Sequence, residues 1–178
     1  LKSLKGTTPI SGFIHSAGIE RTNPLKTIYM DDFSEMFKTN VAAAVAITKQ
    51  IMKPGIYDKS GVSVVLISSI RGYKGERGNI EYGTTKSALY GLTRSMALEL
   101  AGKNARINTI SPTLVNTEML TRVLEALPEN ASQAITNKHL LGIPEPNDVA
   151  NLAAYLISDM ARCITGIDIT IDSGYSLG

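Results

Sequence analysis

Apolar residues in this chain follow two periods, and their alternation along the sequence sets out its architecture. Val62-Ser63-Val64-Val65-Leu66-Ile67-Ser68, entered from Lys59-Ser60-Gly61, is a short β-branched run of the kind that forms a strand buried on both faces. Ala105 to Ser111, closed by Pro112, reads the same way. Ile10 to Ser16 reads as a strand running into a turn of small residues, Ala17-Gly18. Near the end, Ile164 to Gly174 alternates apolar and polar residues as a last strand should. Between the strands the period changes. From about Asp31 to Met52, the residues Phe33, Met36, Phe37, Val41, Ala44, Val45, Thr48 and Ile51 recur at helical spacing and form a stripe facing a core. A second helix is expected near Ile80 to Gly102. Strands alternating with helices imply an α/β fold with a parallel sheet and right-handed crossovers.

Polar residues that interrupt this pattern carry the candidate chemistry. Tyr82 and Lys86 lie four apart on the second helix, hence on one face, so a phenol and an ammonium can stand side by side. A free phenol titrates near pH ~10, and a neighbouring cation favours the phenolate and lowers that value. Ser69, at the carboxyl end of its strand, is placed to hold the oxygen on which a proton lands. Open α/β sheets bind ligands at that end. Asn40 falls inside the apolar stripe of the first helix, where a buried amide has either a structural hydrogen-bonding role or a place in a polar site. His15 has the same two readings: a second acid-base group, or a ring that makes a structural hydrogen bond, which we favour.

Composition narrows the possibilities. At 178 residues and 43% hydrophobic, the chain suits one globular domain spanning residues 1–178. A formal net charge of +2 without a basic run argues against a nucleic-acid partner. No apolar stretch approaches the roughly 18 residues of a transmembrane helix. The lone Cys163 excludes an internal disulfide, fits a reducing compartment such as the cytoplasm, and is expected as a small core residue. No metal site is expected.

Taken together, the order and spacing of Asn40, Ser69, Tyr82 and Lys86 resemble the catalytic tetrad of the classical short-chain dehydrogenase/reductase family, and the likeness runs from about Ile10 to Gly178. The resemblance implies a Rossmann-like, doubly wound parallel sheet and an NAD- or NADP-dependent interconversion of a ketone and a secondary alcohol. It makes Tyr82 the general acid in reduction and the base in oxidation, with Ser69 orienting the substrate oxygen. It has Lys86 lowering the tyrosine pKa and binding the nicotinamide ribose, and Asn40 holding a water in a proton relay. Ala17, Gly18, Tyr82, Lys86, Pro112, Val115 and Thr117 are the implied cofactor contacts, with Thr117 meeting the nicotinamide carboxamide. The hydride chemistry belongs to the cofactor.

Two departures stand out. His15-Ser16-Ala17-Gly18 replaces the family's Asn-Asn-Ala-Gly, and Pro112-Thr113 replaces Pro-Gly. The family's Thr-Gly-x-x-x-Gly-x-Gly turn, which receives the pyrophosphate on backbone amides, is not in these residues, and the chain starts at Leu1. The expectation is a C-terminal catalytic portion, N-terminally truncated, whose first strand is an exposed edge.

Overall likeness within the family is to the 3-oxoacyl-acyl-carrier-protein reductases, so the favoured substrate is a small carbonyl compound or alcohol carried on an acyl carrier. Sugar or polyol dehydrogenases, and a non-catalytic or proteolytic fragment serving as a scaffold, are the alternatives. Arg71, Lys74 and Arg77 either meet an acidic carrier or form a solvated loop. Between Thr113 and Pro146, Met119, Leu120, Val123, Leu124, Leu127, Leu140, Leu141 and Ile143 either face an apolar ligand or report packing. Family precedent implies a homo-oligomer, a dimer or tetramer, through the helices near Asp31 to Met52 and Ile80 to Gly102.

Overall fold

The computed structural model describes residues 8–125 and 127–177, apart from the side chains of Met119, Arg122 and Val123. Two of the apolar residues named in the Thr113 to Pro146 segment, Met119 and Val123, therefore lie outside the described side chains.

Four parallel strands, β1 (Gly12–His15), β2 (Val62–Ile67), β3 (Ala105–Pro112) and β4 (Asp168–Ile171), lie in the order β1-β2-β3-β4. Phe13 is opposite Val64, Val64 opposite Ile107, and Ile110 opposite Ile169. Every residue of β2 but Ile67 is buried, as the unbroken apolar run requires of a central parallel strand. Between the first two strands the chain forms α1 (Met30–Phe37), a π-helical segment (Lys38–Ala42) and α2 (Ala43–Ile51) as one continuous rod. Helix α3 (Ile80–Leu100) follows β2, and α4 (Glu118–Glu125), α5 (Glu129–Asn137) and α6 (Pro146–Ile157) follow β3. Helix α6 starts abruptly because Pro146 needs no amide partner there and Asp148 accepts from the Glu145 N–H at 2.7 Å in a capping box.

Alternation along the strands divides the core between two layers. Val64, Leu66 and Ile107 pack with Val41, Ala44 and Leu89 of the α2 and α3 layer, while Val65 and Ile110 pack with Ala153 and Leu156 of α6. Helices cover both faces, so the fold is α/β and Rossmann-like. All three crossovers move the same way across the sheet, yet the first two cover one face and the last the other. The last crossover therefore has the opposite hand to the first two, against the expectation of uniform right-handedness. The long excursion through α4 and α5 gives the chain the length to change faces.

Other expectations also change. Phe37 and Val45, counted in the core stripe, are 39% and 38% exposed, while Met36, Val41, Ala44, Thr48 and Ile51 are buried. Cys163 is exposed rather than in the core: Ala161, at the end of the preceding 3-10 turn, takes the buried position instead. Strand β4 is shorter than its alternating sequence, because before it side chains share the pairing with the backbone bonds Gly166 N–H to Ile107 and Thr109 N–H to Ile167. Thr165 Oγ1 accepts from the Ile107 N–H at 3.1 Å, and Asn108 Oδ1 accepts from the Ile167 N–H at 3.3 Å. Among the described residues β1 pairs only with β2, which leaves its other edge open. No described helix is long and apolar enough to cross a membrane.

Candidate active site

The carboxyl ends of β1, β2 and β3 deliver three segments to one side of the sheet: His15 to Gly18, Ser68 to Gly72, and Pro112 to Thr117. Helix α3 leans onto the second of these. A Cβ on Gly83 would sit 3.0 Å from the Arg71 carbonyl oxygen, so a bare Cα beside Tyr82 lets the helix approach the turn that follows Ser69.

Ser69 is buried and extended, and its hydroxyl accepts from the Arg71 N–H at 3.2 Å as it caps the short 3-10 turn Ile70–Gly72. Burial, with Glu20 adding to it, pushes the Tyr82 pKa up to about 12 against Ser69 and Arg71, which favour the phenolate. Lys86 is buried too, and desolvation brings its pKa down to about 8 against the pull of Glu20. Its Nζ donates to the Ile67 carbonyl at 2.9 Å and lies 5.4 Å from the centre of the Tyr82 ring. The expected lowering of the tyrosine pKa by Lys86 is thus not what this arrangement produces. The ammonium is held by a strand carbonyl, and the cation that lowers the Tyr82 pKa is Arg71.

Asn40 sits in the π-helical segment, and such bulges redirect a side chain within an otherwise regular helix. Its amide is satisfied in three directions. Oδ1 accepts from the Ile19 N–H at 2.8 Å, and Nδ2 donates to the Ile19 carbonyl and to Thr85 Oγ1, both at 2.9 Å. One side chain therefore ties the segment after β1 to α3. Gly18 completes this corner: a Cβ there would lie 3.4 Å from both Asn40 Oδ1 and Lys86 Nζ, so the glycine leaves a small cradle faced by two of the four candidate residues.

The His15 ring meets the backbone of Thr39 and Asn40, in line with a structural role, while its Nε2 is buried without a partner. Burial first, and then Lys86, lower its pKa, against the backbone of Asn40 and Thr39, so the ring is held neutral. Among the implied cofactor contacts, Ala17 and Gly18 are exposed at the site, Pro112 is buried at the end of β3, and Val115 is half-buried. Thr117 is exposed and uses its hydroxyl to accept from the Leu120 N–H at 3.4 Å at the start of α4.

Sequence reasoning missed Thr85, fully buried, which also donates to the Tyr82 carbonyl at 2.8 Å. It missed Glu20 as well, an exposed residue whose carboxyl pKa is raised by partial desolvation and by Glu76, against Arg71 and Lys86. A polar residue on the buried face of a helix, three after Tyr82, was the available signal for Thr85. The candidate carrier-binding cations are partly engaged locally: Arg71 pairs with Glu76, and Lys74 donates to the Tyr175 carbonyl at 3.2 Å. An open cleft of about 790 Å³ lies at the other end of the sheet, among Ser11, Ser63, Asn104 and Arg106, remote from Tyr82. No cluster of metal-ligating side chains occurs among the described residues.

Residues 3–176 match a family model described as enoyl-(acyl carrier protein) reductase. The chain is 32% identical over 165 residues to acetoacetyl-CoA reductase of Cupriavidus necator, covering 93% of this chain and 65% of that protein. The chain belongs to the classical short-chain dehydrogenase/reductase family. Other short-chain dehydrogenase/reductase relatives include 3-oxoacyl-[acyl-carrier-protein] reductase of Aquifex aeolicus, 31% identical over 90% of this chain and 63% of that protein. A solved structure of a 4-hydroxyisoleucine dehydrogenase mutant complexed with NADH and succinate is 30% identical, with a TM-score of 0.90 over 99% of this chain and 73% of that one. The chain thus spans about 65% of the length of the first curated relatives it matches.

Proposed function

We propose that the protein is an NAD- or NADP-dependent oxidoreductase that interconverts a ketone and a secondary alcohol, with Asn40, Ser69, Tyr82 and Lys86 as its working residues. One observation carries the reading: a protonated phenol whose charged form Ser69 favours, with a buried ammonium beside its ring, at the carboxyl ends of three parallel strands. Gly18 supports a cofactor there, since its bare Cα faces the corner between Asn40 and Lys86 and lets a ligand approach the backbone closely. Bound nicotinamide would supply the hydride.

In reduction, Ser69 Oγ donates to the substrate carbonyl and Tyr82 Oη gives its proton to the same oxygen as charge develops. A phenol that keeps its proton to about pH 12 is in the donor state at neutral pH. Lys86 binds ribose hydroxyls and supplies positive charge as the phenolate forms. Asn40 keeps the Ile19 segment and α3 in register, and the second lone pair of Oδ1 can hold a water of the relay. Ala17, Gly18, Pro112, Val115 and Thr117 are the proposed cofactor contacts.

For the substrate we favour a 3-oxoacyl thioester on an acyl carrier. The names of the reductase relatives support this, as does the exposure of Leu140 and Leu141, at 71% and 89%, in the segment after β3. A cytoplasmic homo-oligomer of single-domain subunits completes the proposal. The test is consumption of NADH or NADPH with acetoacetyl-CoA by the complete protein and by Tyr82→Phe, which keeps the ring and removes the acid. A loss of turnover of at least ~100-fold is expected. Near wild-type turnover in the variant would remove Tyr82 from the mechanism.

A further inference from the structure

Behind Ser69 runs a chain of hydroxyls that the roles above do not use. Tyr90, two helical turns beyond Tyr82 on α3, donates to the Ser69 carbonyl at 2.7 Å, and its oxygen lies 3.1 Å from Ser111 Oγ of β3. Ser111 in turn donates to Asp168 Oδ1 of β4 at 2.6 Å. Each hydroxyl has one proton to give. Ser111 gives its proton to the carboxylate and so offers Tyr90 an acceptor, and the Tyr90 proton is shared between the nearer Ser69 carbonyl and Ser111 Oγ. Burial raises the Tyr90 pKa and keeps it a neutral donor.

The surrounding packing is shaped for this contact. A Cβ on Gly72 would meet Tyr90 at 2.6 Å from Oη and under 3.0 Å from two ring carbons, distances no real Cβ tolerates. Only glycine at 72 lets the ring lie against the turn. The Ser69 carbonyl also accepts from the Gly72 N–H at 2.9 Å, so the backbone of Ser69 is held by two donors on one oxygen while its hydroxyl caps the same turn.

We propose that Tyr90, backed by Ser111 and Asp168, is a positioning residue that fixes the orientation of Ser69 Oγ toward Tyr82 and the substrate oxygen. The inference rests on the reading of Ser69 as part of the catalytic site. A residue acting through Ser69 makes no difference once the Ser69 hydroxyl is gone, and a general structural residue still does.

The test compares Tyr90→Phe, Ser69→Ala and the double variant in the complete protein, together with hydrogen exchange at the Gly72 amide. Tyr90→Phe is expected to lower kcat roughly tenfold with the cofactor KM unchanged, since small misplacements of a positioned group are costly. The double variant should be no slower than Ser69→Ala alone. Exchange at Gly72 should accelerate roughly tenfold while strand amides of β2 stay protected. Gly72→Ala, which pushes the Tyr90 ring away while keeping its hydroxyl, should reproduce these effects if Tyr90→Phe folds poorly. Wild-type kcat in Tyr90→Phe, or losses that add in the double variant, would overturn the proposal. So would unchanged Gly72 exchange, a readout that applies even if Tyr82→Phe retains full turnover and the catalytic reading itself fails.

Discussion

Tyr82 and Lys86 are displaced by the same force in opposite directions: burial favours the neutral form of each, which takes the phenol up to about 12 and the ammonium down to about 8. At neutral pH the pair is therefore a phenol and an ammonium, the combination a reductase needs before hydride transfer. The two groups leave different marks on pH dependence. Lys86 is charged below about pH 8 and neutral above it, so cofactor affinity should fall as pH rises through that value. Tyr82→Phe should keep this change, because Tyr82 does not titrate in that range. Lys86→Ala should bind weakly at every pH and flatten the profile. Fluorescence titrations of NADH on the complete protein on either side of pH 8 check this, and affinity that is flat in the wild type would contradict it. Ser69, Tyr82 and Lys86 could be singled out in the sequence because their residue types and spacing, joined to the family resemblance, suggest a shared chemistry. The actual partner of Lys86, the Ile67 carbonyl, was not, since a backbone acceptor has no residue type to read.

Helical and strand periods located the elements well wherever one environment lasts several residues, as in β2, β3 and α3. They failed where the environment changes within a turn. The π-helical segment at Lys38–Ala42 follows no period of its own, yet it aims Asn40 at Ile19 and Thr85. Of the two readings of Asn40, its hydrogen bonds show the structural one, a clamp beside the proposed site. Asn40→Ala would leave the Ile19 N–H without that acceptor and Thr85 without its donor. A loss of roughly 1 to 3 kcal/mol is expected for each buried group left unpaired. Asn40→Asp keeps the acceptor but turns a buried carboxylate oxygen toward the Ile19 carbonyl and Thr85 Oγ1, so it should be at least as destabilised as alanine in urea denaturation. If alanine proves as stable as the wild type, the clamp contributes nothing to the fold. The division of the segment after β3 into α4 and α5 was likewise illegible: Leu120, Leu124 and Leu127 share one helical spacing, but α4 ends at Glu125, and Leu120 is buried while Leu127 is exposed.

At the scale of the molecule, two surfaces are unfinished among the described residues: the outer helix face and the outer edge of β1. Phe37 and Val45 on the first face, with Leu98 on α3 at 85% exposure, give an apolar surface of the kind that self-association buries. Phe37→Glu with Val45→Glu should lower the mass seen by light scattering at micromolar concentration. A wild type that is already a monomer would exclude self-association through this face. The β1 edge bears on cofactor binding. The residues gathered at the carboxyl ends of β1, β2 and β3 reach the nicotinamide end of a dinucleotide through Ala17, Gly18, Tyr82, Lys86 and Thr117. A pyrophosphate is best held by a glycine-rich turn leading into a helix N-terminus, where free amides and the helix dipole meet the charge, and these 178 residues have no such turn. Binding energy gained at the remote end of a cofactor is what holds its reacting ring in place. Residues 1–178 by themselves should therefore show no saturable binding of NADH or NADPH at micromolar concentration, although all four proposed catalytic side chains are in place. Calorimetric titration of the 178-residue chain, its length fixed by mass spectrometry, reads this directly. A micromolar dissociation constant would mean that the chain builds its phosphate site from other groups, and the arginines nearest the strand ends, Arg21 and Arg71, would be the first to mutate.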